Sequence, residues 1–243
     1  MAERRLGQAF RSRVLEEEPD LEVPAGREES VLMNPNRQRI FEYLSFYPCS
    51  SLTQAAGALG MSGPTAQWHA AKLARARYLQ AVPTGRAQLF YPTALSLEPR
   101  DLTVLAAVNG LGGAKLLALV VAHPGLTLRQ LSDAAGVGIG AARLQALRLV
   151  AADLAVVIAD GRYRRIYPSG TILHLEKGAR RKLRAFRQRL LKRLEHEKMR
   201  PTLRASLSRE QELEVHVGDR TYVLRLPTSS LLHGIAPSGG AHA

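Results

Sequence analysis

The chain repeats itself. Residues Arg39 to Pro92 recur without a gap as Lys115 to Pro168, at a constant offset of 76 (Pro124 against Pro48). Leu52 and Leu128, Gln54 and Gln130, Gly60 and Gly136, Leu73 and Leu149, Gly85 and Gly161, Arg86 and Arg162, and the Tyr91-Pro92 and Tyr167-Pro168 pairs fall on the same offset. Gly and Pro set turns, so an offset that preserves them predicts one order of helices and turns used twice. The repeat reads as a duplicated small domain.

Each repeat carries its own punctuation. Asn34-Pro35 supplies an N-cap and a Pro at the first helical position, and Ile40, Phe41, Tyr43 and Leu44 recur at helical spacing until Pro48. Ser51 to Gln54 has capping-box spacing, repeated by Thr127 to Gln130. The short helices these boxes open end at Gly60 and Gly136, where a left-handed residue is expected. Ser62 then caps a third helix over residues 62–77. Two short strands around Thr84-Gly85, and two around Asp160-Gly161, complete the repeats as hairpins. Three helices and a hairpin make a winged helix.

The segment from Asn34 to Leu79 resembles the winged helix-turn-helix of archaeal and bacterial transcriptional regulators of the MarR and ArsR type, in particular archaeal regulators carrying two such domains in tandem. The matching features are the Asn34-Pro35-Asn36-Arg37 opening, Pro48 before helix two, Gly60 between helices two and three, and the run Ser62, Thr65, His69. The likeness covers residues 31–92 closely and 112–168 more loosely. Where the family often has Leu after the His and Gly before the last apolar pair, this chain has Ala70 and Arg77. In the second repeat, Gly138 to Gln145 lacks the Ser, the Thr and the His. The resemblance implies a regulator that binds double-stranded DNA as a homodimer.

The expected fold is mainly α with small β-hairpin wings, an α+β chain with two tandem winged-helix domains. Residues 1–30 form a flexible charged arm, 31–97 winged helix one, and 98–172 winged helix two behind a linker helix. Residues 173–200 form a basic amphipathic helix, and 201–243 a β-hairpin with a loose tail. Charge follows this division. The net charge is +13, and residues 176–200 alone hold 11 Lys and Arg against 3 Asp and Glu, whereas residues 1–30 hold 5 against 8. Clustered bases favour a polyanion, because phosphate binding releases condensed counterions.

Contacts can be assigned from helix-turn-helix docking, in which the third helix enters the major groove. Ala66, Ala70 and Leu73 form its inward face by spacing, leaving Thr65, Gln67, Trp68, His69, Lys72 and Arg75 outside, with Ser62 at the cap. Gln67 suits bidentate pairing with adenine, Thr65 a thymine methyl or a phosphate, and Lys72 and Arg75 phosphates. Trp68, the one Trp, suits packing better than base contact, and His69 suits capping or packing as well as it suits DNA. In the wings, Arg86 stands alone, whereas Arg162, Tyr163, Arg164 and Arg165 surround the second turn, fitted to phosphates or a narrow minor groove. Arg143, Gln145 and Arg148 are the candidate contacts of a second recognition helix. That helix is apolar nearly all round, through Ile139, Ala142, Leu144, Ala146, Leu147 and Leu149, which predicts burial against the first repeat or another subunit.

Leu183, Phe186, Leu190 and Leu194 form a narrow stripe on the basic helix. It suits a dimer seam whose bases lie along phosphates, or equally a helix packed on its own domain. Cys49, the one cysteine, excludes an intrachain disulfide and suits a reducing cytoplasm; it reads as a turn residue, with redox sensing as the lesser alternative. The longest apolar run, Leu116 to Ala122, is too short to span a bilayer, and the Arg-containing N-terminus has no signal-peptide core. No nucleophile elbow, H-x-x-x-H pair or phosphate-binding Gly loop suggests an enzyme, and the reading calls for no cofactor and no metal. The expected function is sequence-specific DNA binding by a cytoplasmic, nucleoid-associated regulator, using helix 62–77 and wing 160–165. The alternative is a protein-binding adaptor or chromosome-organising protein, resembling the segregation-and-condensation protein B family.

Overall fold

The computed structural model describes residues 30–84, 87–110, 112–204 and 210–228. The arm, apart from Ser30, the tail from 229, and Arg86 lie outside them. The first repeat runs α1 (Pro35–Phe46), β1 (Ser50–Ser51), α2 (Leu52–Leu59), α3 (Gly63–Arg75), β2 (Leu79–Thr84) and β3 (Ala87–Pro92). After α4 (Pro99–Asn109), the second runs α5 (Gly113–Ala122), β4 (Leu126–Thr127), α6 (Leu128–Ala135), α7 (Ile139–Ala151), β5 (Ala155–Asp160) and β6 (Tyr163–Pro168). From β1 onward every boundary of the second series is that of the first plus 76. Then come α8 (Thr171–His196), β7 (Arg200–Leu203), β8 (Glu210–Val217) and β9 (Arg220–Pro227). The chain is α+β and winged-helix-like, with three small antiparallel sheets among the described residues.

Local chemistry explains the shared boundaries. Asn34 caps α1, its side chain accepting from the Asn36 and Arg37 amides. Both capping boxes form: Ser51 with Gln54, and Thr127 with Gln130. Gly60 and Gly136 follow the short helices at φ 64° and 65°, left-handed positions where a Cβ is strained. The third helices stop alike. Arg77 at φ 59° and Asp153 at φ 56° take the left-handed position 76 residues apart, so Arg77 occupies a place where glycine would relieve strain.

Each hairpin gains a third strand that its sequence does not announce. Ser50-Ser51 pairs with Phe90 and Leu89, and Leu126-Thr127 with Ile166 and Arg165, giving the orders β1-β3-β2 and β4-β6-β5. Two-residue strands carry no alternation to read.

The repeats share one continuous apolar core with α8 and the last sheet, from Leu32 and Phe41 through Leu117 and Leu149 to Phe186 and Leu224. The polar joint between them is Asn109, at the end of α4. Its Nδ2 donates to the Pro48 carbonyl at 2.6 Å, and its own carbonyl accepts from Gln54 Nε2 at 2.9 Å. Gly113 allows the return into α5, where a Cβ would lie 2.0 Å from the Ala107 carbonyl oxygen. Sheet β7-β8-β9 closes over α1: the Arg225 amide donates to Glu42 at 2.7 Å. Burial raises the Glu42 pKa, with Arg225 opposing the shift.

The basic helix differs from its expected limits. It begins at Thr171 and ends at His196, Lys198 turns the chain at φ 61°, and Arg200 already belongs to β7. The hairpin expected at the C-terminus is therefore the outer part of a three-stranded sheet. The dimer-seam reading is also corrected, because Leu183, Phe186, Leu190 and Leu194 are fully buried within the single chain. Phe186 lies 6.4 Å from Phe41, ring centre to ring centre. Many of the helix's bases are spent internally. Arg189 donates to the Ala94 and Leu95 carbonyls, Arg193 to Ala76 and Arg77 at the end of α3, Arg187 to Pro227, and Lys182 pairs with Asp101. Arg193 also lies 3.6 Å over the Tyr78 ring, whose hydroxyl donates to Glu197. A narrow stripe looks the same whether its cover is another molecule or the chain itself.

Candidate nucleic-acid interface

Helix α3 stands at the end of a tight turn. Ser62 accepts from the Thr65 amide at 3.2 Å, and their hydroxyls bond at 2.7 Å, so the first turn is rigid without acidic residues that would repel phosphate. Ala66, His69, Ala70 and Leu73 are buried, and Thr65, Gln67, Trp68, Lys72 and Arg75 are exposed. Two placements depart from expectation. His69 is only 6% exposed, because it lies three residues beyond Ala66 and shares the inward face; its Nδ1 is buried without a hydrogen-bond partner. Burial, and secondarily Arg37, lower its pKa, so the ring is held neutral. Trp68 is instead 43% exposed, with its ring edge against His69 and Lys72 Nζ 5.3 Å from its centre. An exposed indole with a cation over it can stack or contact sugar and phosphate. Beside the N-terminus of α3 opens a cleft of about 720 Å³, lined by Thr53, Gly57, Met61, Pro64, Gln67 and Gln88 among others.

In the second wing the three arginines separate. Arg165 is held by Asp160 at 2.5 Å and donates to the Gly125 carbonyl at 3.0 Å, and the Asp160 bond pushes its already high pKa further up. It braces the hairpin. Arg162 and Arg164 are exposed at the tip, Arg162 lying 5.0 Å over Tyr163, itself exposed. The wing therefore offers two outward guanidiniums, not three.

In the second repeat, one of the two expected covers for the third helix is missing. α7 buries Ala142, Gln145, Ala146 and Leu149 but exposes Ile139, Leu144, Leu147 and Val150, so it is not enclosed by the first repeat. Gln145 faces inward and cannot reach a base, whereas Arg143 and Arg148 face solvent. Gly138 stands where Ser62 caps α3 and gives no side-chain cap. The sequence sets the bases of α8 along phosphates without separating them; Arg180, Arg181, Arg184 and Lys192 are exposed, and only the internal bonds of their neighbours distinguish them.

Cys49 is buried and sits at φ 63°, and desolvation pushes its thiol up to about 12. It is a turn residue with almost no thiolate at neutral pH. Among the described residues, no group of three His, Cys, Asp or Glu could hold a metal, and no single helix is long and apolar enough to cross a membrane.

No protein-family model and no curated protein matches this chain. Among solved structures, ScpB from Mycobacterium tuberculosis matches at 19% identity, over 56% of this chain and 92% of that one, with a TM-score of 0.24. A superposition that loose carries no functional inference.

Proposed function

We propose that the chain is a double-stranded DNA-binding transcriptional regulator built from two tandem winged-helix domains, with the MarR and ArsR likeness its sequence suggests. The observation that carries this reading is the face of α3. A capped helix projects Thr65, Gln67, Trp68, Lys72 and Arg75 into solvent together, with a hydrogen-bonding reader flanked by cations. Arg162 and Arg164 on the second wing supply backbone or minor-groove contacts. No catalytic role, metal or cofactor is assigned, and the reading places the protein with the nucleoid.

The roles are divided. The first repeat reads and the second holds through its wing, since α7 turns Gln145 inward and presents no neutral hydrogen-bonding reader between its exposed leucines. The exposed Leu144 and Leu147 support a second reading, in which the second repeat serves protein contacts as an adaptor would. A mobility-shift assay of the full chain on genomic fragments at about 50 mM salt tests the first reading. Retention of a subset of fragments supports it; failure to shift any fragment refutes it.

A further inference from the structure

Helix α7 presents to water what a soluble chain normally covers. Leu144 and Leu147 are 51% and 58% exposed on its outer face, with Ile139 beside them. Arg148 lies one turn beyond Leu144 and Arg143 one turn before Leu147, so two exposed guanidiniums interleave with two exposed leucines. At the equivalent places α3 has Trp68, Ala71, Gln67 and Lys72. The paired leucines belong to the second repeat alone; α3 has the exposed Trp68 at the first of these places and a small Ala71 at the second. Exposed apolar surface edged by one sign of charge marks a docking site.

Its chemistry selects the occupant. A duplex would meet two leucines where a reader should be. A second α7 across a two-fold axis would bring four guanidiniums together. An acidic segment with spaced apolar side chains satisfies both features, and this chain contains one. Residues 15–24 carry Glu16, Glu17, Glu18, Asp20 and Glu22 with no Lys or Arg, interspersed with Leu15, Leu21 and Val23.

Reach bears on which molecule supplies it. Ser30, where the described chain begins, donates to Glu197 just past the C-terminal end of α8, whereas Thr171 at the other end donates to Asp153 just past α7. The 26 residues of α8 place these ends about 39 Å apart at 1.5 Å per residue. Asp153 lies within about 9 Å of Leu147 along α7, and seven residues from Ser30 carry Val23 at most about 25 Å. Running along α8, an arm of about 25 Å ends short of the helix's far end, which favours supply by another molecule.

We infer that residues 15–24 of one molecule dock on α7 of another, their carboxylates meeting Arg143 and Arg148 and Leu21 and Val23 meeting Leu144 and Leu147. Two such exchanges close a symmetric dimer without the buried stripe of α8. The inference stands independently of DNA binding.

The test uses full-length chains, one carrying Val23→Cys and the other Leu147→Cys, mixed and treated with a short bismaleimide; buried Cys49 stays silent. Docking raises the local thiol concentration, so the two-chain product should form at least about tenfold faster than with Ala71→Cys, the exposed equivalent on α3. Glu16→Gln, Glu17→Gln and Glu18→Gln together, or about 0.5 M salt, should remove that advantage. Equal rates at positions 147 and 71 overturn the proposal. So does a chain carrying both Val23→Cys and Leu147→Cys that yields only a one-chain product.

Discussion

His69 and Gln145 occupy the same place in the two repeats, 76 residues apart, each on the inward face of a third helix and each nearly buried, at 6% and 7% exposed. The two repeats therefore tolerate either side chain in one pocket, but only His69 titrates. Its pKa is lowered from 6.5, so between the folded-state value and 6.5 the folded chain binds fewer protons than the unfolded one. Stability is full above about 6.5 and falls as pH drops through that range. His69→Gln, borrowing the residue of the second repeat, should fold and lose this dependence. Melting temperatures of both proteins between pH 7.5 and 5.5 check it; parallel curves would rule it out.

Asn109 should be the polar residue on which the joint between repeats depends most. Asn109→Ala leaves the Pro48 carbonyl without its buried donor and should cost about 1–3 kcal/mol in urea unfolding. The Gln54 bond to the Asn109 main chain survives the change, so Gln54→Ala should add a separate loss. A change within about 0.5 kcal/mol for Asn109→Ala would mean the joint is held by the apolar core alone.

Phe186 should behave as a core residue of the monomer. Phe186→Ala should cost about 3–5 kcal/mol at every protein concentration, because the ring packs on Phe41 of its own chain. A melting temperature whose loss shrinks as concentration rises would return the α8 stripe to an intermolecular seam.

Cys49 should be unreactive in the native state. Its thiol is buried and pushed up to about 12, so an aromatic disulfide reagent at neutral pH should label it only on unfolding. Stoichiometric labelling of the folded chain within seconds would contradict that placement.

The two repeats show where sequence is legible. Capping boxes at Ser51 and Thr127, the glycines at 60 and 136, and the tip at 160–161 act within a few residues, and the elements form where those signals stand. What a side chain faces depends on distant chain. Trp68 looks like a core residue until α3 is placed, and Leu144 and Leu147 look buried until nothing in the first repeat covers them. Leu183 to Leu194 look like a seam until Phe41 and the last sheet cover them. Arg165 counts with Arg162 and Arg164 in the sequence, and only the register of β5 and β6 brings it to Asp160.

The division of labour between helix and wing is tested most directly by the salt dependence of DNA affinity. Fluorescence anisotropy on one selected duplex and one unrelated duplex would compare the native chain, Gln67→Ala, and Arg162→Ala with Arg164→Ala. Losing both wing arginines should weaken both duplexes alike and lower the slope of log K against log salt by about 1.8, at about 0.9 per phosphate contact. Gln67→Ala should keep the slope and lose about 1–3 kcal/mol of discrimination between the duplexes. An unchanged slope in the wing variant, or equal effects of the two changes on slope and discrimination, would contradict a reading helix in the first repeat and a holding wing in the second.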